Sequence, residues 1–230
     1  MIKRGKKYRK AIEMVNQTMA YGVDEAVELL EKTNTVKFDP SAEIHFNLEL
    51  DPKYQDQMIR STITLPHGTG KKPKMCVFND TANPDELKKL GADLVGGEDL
   101  IADIASGKQP INFDICIATP GMMRQLGKVA KVLGPKGLMP NPKTGTVGDD
   151  LVSIVKEIAA GKFEFKTDKD GNIHSIFGKL SFGKQKLKEN LEHFLQSVKE
   201  AKPSGSPKGK YMNSVYICNA MWPGIRLDVK

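Results

Sequence analysis

The first third of the chain has two helical patterns followed by two strand patterns. Apolar residues at helical spacing predict one helix over residues 7–20 and a second that begins at Asp24. Residues 42–50 (AEIHFNLEL) alternate between apolar and polar positions with a period of two, which is the pattern of a strand with one buried face. Residues 61–65 (STITL) are predicted to pair with that strand.

Short apolar runs then alternate with helical patterns. The runs predict strands over residues 75–78, 92–95 and 113–118, and the helical patterns cover residues 84–90, 98–106 and 120 to about 132. Strands that alternate with helices need crossover connections, so we expect a parallel sheet with helices on both faces. This part of the chain is predicted to form a small three-layer, Rossmann-like α/β domain.

Strand patterns return towards the C-terminus. Residues 163–167 (FEFKT) and 173–180 flank Lys169-Asp170-Gly171, and an Asp-Gly step between alternating runs predicts a hairpin. Residues 184–201 have an amphipathic pattern that predicts a helix. A last strand is predicted over residues 213–221 (NSVYICNAM).

The two ends of the chain are predicted to fold together into one domain. Both have antiparallel strand patterns, whereas the middle is α/β, and glycines and prolines interrupt the periodicity at residues 65–74 and 159–162. The expected fold class is therefore a split α+β domain from both termini with an inserted α/β domain. The split domain is predicted to comprise residues 1–67 and 162–230, and the inserted domain residues 68–161. Two neighbouring chain crossings predict a hinge at Gly68, Gly70 and Gly161.

Composition limits the class of protein. The 230 residues are 39% hydrophobic and 27% charged, as in an ordinary globular protein. No apolar run approaches the roughly 18 residues of a membrane span, and no apolar segment follows the basic N-terminus, so we expect a cytosolic protein without a signal peptide or a membrane partner. Cys76, Cys116 and Cys218 are spaced too widely for a disulfide framework or a Cys-x-x-Cys metal site, and they are predicted to be small buried residues.

The net charge of +7 is unevenly distributed. Residues 68–161 contain 12 basic and 11 acidic residues, which leaves six of the seven net positive charges to the two ends. We therefore expect a polyanionic partner for the split domain. Residues 120–148 contain five basic residues and no acidic ones, and their prolines and glycines make a stiff loop. Two interpretations of this basic loop stay open, a solvated connection and a surface that contacts phosphates.

The sequence shows no catalytic or metal-binding constellation. The four histidines, at positions 45, 67, 174 and 193, are scattered, without a neighbouring nucleophile or ligand cluster. The Gly-rich stretch 68–72 lies before a strand, whereas a phosphate loop lies before a helix, so it is interpreted as hinge. We expect no enzyme, cofactor or metal. Two alternatives remain, a nucleotide-binding enzyme built on the inserted domain and a protein-interaction module built on helix 184–201. The apolar stripe of that helix is explained more simply by packing in the protein core.

Residues 127–147 (GKVAKVLGPKGLMPNPKTGTV) resemble the characteristic motif of the large-subunit ribosomal protein L1 family, the protein of the mobile stalk beside the tRNA exit site. Other stretches resemble its bacterial members in order and spacing. They are Lys37-Phe38-Asp39, LPHGTGK at 65–71, GADLVGGEDL at 91–100, GKLSF at 178–182 and LKENLE at 187–192. The resemblance spans nearly the whole chain and both expected domains.

This resemblance implies a structural protein that binds large-subunit ribosomal RNA through the split domain, assists tRNA release through the movable insertion, and represses its own mRNA. The RNA-binding residues of the family carry over to Lys37, Phe38, His174, Lys179, Ser181, Phe182, Asn219, Ala220, Met221 and Trp222. The basic loop would contact exit-site tRNA or ribosomal RNA through Lys128, Lys131, Lys136 and Lys143. The expected protein is cytoplasmic, ribosome-bound, and monomeric when off the ribosome.

One part of the chain departs from the family pattern. Ala220, Met221 and Trp222 stand where the family has a Thr-Met-Gly step. Alanine lacks the hydroxyl that would bond to RNA, and an unpaired partner at a desolvated interface costs about 1–3 kcal/mol. The indole either stacks on an unpaired base, which contributes about 1–3 kcal/mol, or folds back onto the sheet beside Pro223. Both interpretations stay open.

Overall fold

The computed structural model describes residues 4–54, 56–80, 84–206 and 209–229. The helices α1 to α8 are Lys6–Glu13, Val23–Thr33, Pro84–Lys89, Glu98–Ala105, Pro120–Leu126, Ala130–Leu133, Leu151–Ala159 and Lys184–Glu200. The strands β1 to β9 are Ser41–Leu48, Arg60–Thr64, Met75–Phe78, Ala92–Gly96, Ile115–Ala118, Lys162–Lys166, Asn172–Lys179, Met212–Asn219 and Ile225–Leu227. The chain forms two compact units, one from Met1–Gly70 with Glu164–Lys230 and one from Lys71–Phe163.

A four-stranded antiparallel sheet forms the centre of the first unit, in the order β7-β1-β8-β9. In β1, Ile44 and Phe46 are buried on one face, and Glu43 and His45 lie partly exposed on the other. Helices α2 and α8 pack on the buried face, where the rings of Phe46 and Phe194 stack with their centroids 5.6 Å apart. The strand and the amphipathic helix predicted for these segments are thus confirmed as β1 and α8.

Two predicted strand pairings are wrong. Residues 61–65, expected to pair with β1, overlap β2, which pairs with β6 in a separate two-stranded sheet. Among the described residues, the predicted hairpin of β6 and β7 is reduced to an isolated bridge between Thr167 and Ile173. β1 and β7 have eight residues each and pair along most of their length, whereas β2 and β6 have five each. Alternation identifies the buried face of a strand but does not identify its partner.

Two predicted helices are shorter than expected. The pattern over residues 7–20 forms only α1, because Asn16 Oδ1 accepts hydrogen bonds from Thr18 N and Thr18 Oγ1 in a local turn that competes with the helix. The helix predicted over residues 120–132 is interrupted at Gly127, a residue type of low helix propensity. The chain continues there as a short 3-10 turn and then as α6.

The end of the chain also differs from the prediction. The last predicted strand ends at Asn219, because Met221 has a φ of +74° and cannot continue an extended strand. The chain turns and forms the short strand β9, which pairs antiparallel with β8. Sequence patterns do not predict β9 because three residues are too few for a clear alternation.

The second unit contains a three-stranded parallel sheet in the order β4-β3-β5, as predicted. On one face Cys76 and Phe78 pack with α4 and α5, and on the other face Met75 and Val77 pack with α3 and α7. This gives three layers, with a core on each side of the sheet. Sequence patterns missed α7, although the Asp150 side chain caps its N-terminus.

A buried amide joins three parts of the first unit. Asn190, on α8, is 0% exposed. Its Nδ2 donates hydrogen bonds to the carbonyl oxygens of Phe177 at 2.8 Å and Gly68 at 2.9 Å. Its Oδ1 accepts one from the backbone N of His67 at 3.1 Å. The helix is thereby connected to β7 and to the segment that precedes the first crossing into the second unit.

We expect Asn190→Leu to lower the free energy of unfolding of the first unit by about 3 kcal/mol or more. Leucine is of similar size, but it leaves one buried and two partly buried backbone groups without partners, and each such loss costs about 1–3 kcal/mol. Urea unfolding followed by the fluorescence of Trp222, the single tryptophan of the sequence, measures this loss. Gln196→Leu on the exposed face of the same helix is the control, with an expected change within about 0.5 kcal/mol. Equal losses in the two variants would contradict the role of Asn190.

Candidate nucleic-acid interface

One end of the four-stranded sheet brings three separate chain segments together. β1 begins at Ser41, which lies opposite Lys179 at the end of β7. Ala42 lies opposite Asn219 at the end of β8. The residues before β1, after β7 and after β8 therefore share this end of the sheet. These segments are residues 37–40, 180–182 and 220–222, and each contains residues expected to bind RNA.

Asp39 holds the first two segments against each other. Its Oδ1 accepts a hydrogen bond from Ser181 N at 3.0 Å, and its Oδ2 accepts one from Ser181 Oγ at 2.8 Å. Lys179 Nζ donates to the Asp39 carbonyl oxygen at 3.3 Å. The third segment is attached through Ala220 N, which donates to Ser41 O at 3.0 Å. These bonds fix the three loops to the end of the sheet.

The side chains that these loops leave exposed are suited to an RNA ligand. Phe38 is 54% exposed and Met221 is 77% exposed, so two large apolar side chains face solvent. Lys37 and Ser181 are exposed, and Lys179 is half-buried. Lysines neutralise phosphates, and exposed aromatic rings stack on unpaired bases. We call this patch the sheet-end surface, which comprises Lys37, Phe38, Lys179, Ser181, Phe182, Ala220 and Met221.

The turn after β8 presents Met221 to solvent and turns Trp222 inward. Met221 adopts a φ of +74°, and Trp222 N donates to Asn219 O at 3.0 Å to close the turn. The Trp222 side chain is half-buried. Its Nε1 is buried and has no hydrogen-bond partner among the described residues. Of the two interpretations left open for the indole, this burial favours the one in which it folds back. Met221, which was predicted to contact RNA, is the exposed side chain of the turn.

Two of the predicted RNA-binding residues lie away from this surface. Asn219 is 1% exposed, and its Nδ2 donates to Leu30 O, so it joins α2 to β8. Its burial follows from the phase of β8, in which Val215 and Ile217 face the same core. His174 lies further along β7 on the open face of the sheet. The fold therefore brings together eight of the ten predicted residues, with Trp222 among them but turned inward.

The open face of the sheet collects polar side chains that are far apart in the sequence. His45 Nδ1 lies 2.9 Å from His174 Nδ1, and His45 Nε2 lies 3.2 Å from Cys218 Sγ. Glu43 approaches the same ring, with an oxygen 3.8 Å from Nε2. The expectation that the histidines lack such neighbours is therefore wrong. Cys218 is also only partly buried, whereas the other two cysteines are buried as predicted.

Burial and hydrogen bonding together determine the protonation states of this cluster. Desolvation, followed by the nearby His174, lowers the pKa of His45 below its ordinary value, although Glu43 opposes the shift. Desolvation, followed by the charge of Glu43, raises the pKa of Cys218 to about 11. Desolvation favours a higher pKa for Asp168, but hydrogen bonds from the backbone outweigh it and lower the pKa. At neutral pH His45 is thus an uncharged imidazole, Cys218 a thiol and Asp168 a carboxylate.

The basic loop forms an ordered cationic surface within the second unit. Val129 and Leu133 are fully buried and anchor it, and Leu138 N donates to Leu133 O at 3.0 Å. Asn141 Oδ1 accepts a hydrogen bond from Lys143 N at 2.9 Å and stabilises the next turn. The exposed basic side chains are Arg124, Lys128, Lys131, Lys136 and Lys143. Within the described ranges, none of them pairs with a carboxylate.

The three predicted hinge glycines lie close in sequence to the two crossings between the units. Gly68, Gly70 and Gly161 have φ angles of 64°, 75° and 108°. Gly70 is also constrained by the sheet-end surface. A Cβ at this position would lie 2.6 Å from Lys179 Cγ and 3.0 Å from the Phe182 ring. Any larger residue at position 70 would therefore displace two side chains of the candidate interface.

No helix within the described part of the chain combines the length and the apolar character that a membrane span needs.

Comparison with protein-family models supplies the remaining evidence. The model described as Ribosomal protein L1p/L10e family matches residues 30–223, which includes β1, the basic loop and the turn after β8. The resemblance found in the sequence is thereby confirmed. Members of this family are structural RNA-binding proteins that act on the ribosome in the cytoplasm, and they are not enzymes. This chain belongs to the ribosomal protein L1 family and is a large-subunit ribosomal protein that binds ribosomal RNA.

Proposed function

We propose that this protein binds the ribosomal RNA of the mobile stalk, beside the tRNA exit site, through the sheet-end surface. The observation that supports this most strongly is the meeting of three distant segments at one end of the four-stranded sheet. Together they expose an aromatic ring, a thioether, lysines and a hydroxyl on backbone that hydrogen bonds hold in place. A preformed surface of this composition matches the phosphates and unstacked bases of irregular RNA.

The proposed contacts follow from the shape of RNA. The major groove of an A-form helix is too narrow for side chains, so proteins read loops, junctions and other irregular regions. In this mechanism Lys37 and Lys179 neutralise phosphates, and Phe38 stacks on an unpaired base. Ser181 and Met221 then contact base edges and the ribose surface.

The turn after β8 modifies this contact relative to the family pattern. Ala220 has no hydroxyl to donate to RNA, and its backbone N already bonds to Ser41 O. Trp222 is half-buried and its indole nitrogen is enclosed, which favours an indole that packs against the protein and stabilises the turn. Met221 then becomes the principal RNA contact of the turn.

We further propose that the two units act as separate domains. Residues 1–67 and 162–230 grip the RNA, and residues 68–161 move about Gly68, Gly70 and Gly161. The basic loop of the moving domain contacts exit-site tRNA through Lys128, Lys131, Lys136 and Lys143 and assists its release. The concentration of net positive charge in the two ends and the ordered, cationic form of this loop support the division.

Repression of its own mRNA is part of the same proposal. An mRNA segment that imitates the ribosomal site would occupy the sheet-end surface, so the two RNAs would compete for one monomeric protein off the ribosome. Excess protein would then block its own translation until ribosomal RNA becomes available.

Two substitutions separate the base contacts from the phosphate contacts of the sheet-end surface. Phe38→Ala should weaken binding to a stalk RNA fragment by about 5- to 150-fold, since the loss of one base stack costs about 1–3 kcal/mol. Lys37→Ala should reduce the slope of log K against log salt concentration by about one unit, because one phosphate contact is lost. Filter binding over a range of salt concentrations measures both effects.

Tyr54→Ala is the matched control for Phe38→Ala. Tyr54 is 59% exposed and belongs to the same unit, but it lies outside the sheet-end surface. Its substitution should leave affinity and salt slope unchanged. Binding that does not depend on salt, or wild-type affinity for Phe38→Ala, would refute the proposed grip.

Met221→Gly should stabilise the protein and weaken RNA binding at the same time. Glycine adopts a φ of +74° without the strain that a side chain adds, so the free energy of unfolding should rise by up to about 1 kcal/mol. Affinity for the stalk RNA should fall because the thioether is lost. Met221→Ala keeps the strain and loses the same contact, so it should bind as weakly without the gain in stability. Wild-type affinity of Met221→Gly would exclude Met221 from the interface.

The double substitution Lys136→Glu with Lys143→Glu should slow tRNA release from ribosomes several-fold, because it reverses the charge of the basic loop where phosphates would bind. The measurement is the rate at which deacylated tRNA leaves ribosomes reconstituted with each variant. Lys88→Glu with Lys89→Glu, on the exposed side of α3, makes the same change of charge in the same unit and serves as the control. Equal rates in the two double variants would contradict a specific role of the loop.

A further inference from the structure

Three potential metal ligands converge on the open face of the four-stranded sheet, outside the sheet-end surface. Glu43 on β1 lies directly opposite Cys218 on β8, and His45 follows two residues later on the same face of β1. His45 Nε2 lies 3.2 Å from Cys218 Sγ and 3.8 Å from a carboxylate oxygen of Glu43. One ligand atom from each of the three residues lies within 4.8 Å of the other two. The three side chains are partly buried, so they form a shallow site that solvent can reach.

The types and spacing of these donors select a particular class of metal. A thiolate with an imidazole and a carboxylate favours Zn²⁺ and related borderline transition metals, whereas Mg²⁺ and Ca²⁺ prefer oxygen ligands alone. Zinc binds sulfur at about 2.3 Å and nitrogen at about 2.0 Å in tetrahedral geometry, which puts neighbouring ligand atoms roughly 3.2–3.8 Å apart. The distances around His45 Nε2, 3.2 Å and 3.8 Å, agree with this spacing.

A chain of side chains behind His45 would orient it as a ligand. Its second ring nitrogen, Nδ1, lies 2.9 Å from His174 Nδ1. The opposite ring nitrogen of His174, Nε2, lies 3.4 Å from an oxygen of Asp168. With Nε2 of His45 on a metal, its Nδ1–H would donate to His174, and the Asp168 carboxylate lies beside the opposite edge of the His174 ring. An imidazole and carboxylate relay of this kind fixes the tautomer and orientation of metal-bound histidines.

The charges of the cluster also favour a cation. Within the described ranges, no salt bridge joins Glu43 to a lysine or arginine, and its carboxylate approaches the His45 ring, which carries no permanent charge. A partly buried carboxylate without a permanent cation is unfavourable, because desolvation is not repaid by a Coulombic partner. A bound divalent metal would supply that positive charge.

We propose that Glu43, His45 and Cys218 bind one Zn²⁺ ion, with His174 and Asp168 as positioning residues and the fourth coordination position open to water. Binding requires the Cys218 thiol to release its proton to solvent as the zinc–sulfur bond forms. Metal binding at this site does not require RNA, so a failure of the RNA-binding proposal would not affect it.

Cobalt titration of the full-length, metal-free protein tests this site. Co²⁺ should bind with one equivalent per chain and give a thiolate-to-cobalt charge-transfer band, and Zn²⁺ should displace it. The band reports on Cys218, since Cys76 and Cys116 are buried in the core of the second unit. Cys218→Ser should abolish the band. His45→Gln should weaken Co²⁺ binding at least tenfold, and His174→Gln should weaken it about tenfold through loss of the relay.

His67→Gln is the matched control, because His67 also pairs with a carboxylate, that of Glu189, but no cysteine lies in that pair. It should bind Co²⁺ as wild type does. Circular dichroism of each metal-free variant establishes that it is folded. As a second readout, Zn²⁺ should raise the melting temperature of the wild type and leave that of His45→Gln unchanged. A band that persists in Cys218→Ser, or a wild-type melting temperature that Zn²⁺ does not raise, would overturn the site.

Discussion

The position of β1 between β7 and β8 determines the organisation of the whole chain. Both partner strands come from the C-terminal part, and in the order β7-β1-β8-β9 they do not bond to each other. Neither end of the chain can therefore complete the first unit alone, and the residues between must leave this unit and return. Such an insertion is tolerated because loop closure becomes only slowly more costly with length, by about 0.6 kcal/mol for each doubling.

The same arrangement creates the candidate RNA surface. Because β7 and β8 both run antiparallel to β1, both end where β1 begins, so the loops that follow them meet the loop that precedes it. Hydrogen bonds that Asp39 and Ser41 O accept then fix these loops, and Phe38 and Met221 can face solvent without being needed for the core. A surface that is ordered before binding loses less conformational entropy when it contacts RNA.

Sequence patterns identified buried faces more reliably than they identified partners. The alternation in β1 and the apolar stripe of α8 predicted which side chains are buried, because burial follows a local repeat. The phase of β8 also contained the signal that Asn219 faces the core, although the family resemblance assigned it to RNA. By contrast, His45 and Cys218 are 173 residues apart, and only the register between β1 and β8 brings them together. No local pattern encodes that register, so the sequence alone does not predict that these two side chains lie close together.

The turn after β8 shows why the remaining details of the interface lie beyond sequence reasoning. A non-glycine residue at the φ of Met221 costs about 1–2 kcal/mol, and the buried Trp222 nitrogen without a described partner adds a further penalty. The turn persists because bonds on both sides determine it, from Ala220 N to Ser41 O and from Trp222 N to Asn219 O. Strain that neighbouring structure enforces is concentrated at functional sites. Here it exposes a thioether at a position where glycine would form the same turn more easily and present no side chain to RNA.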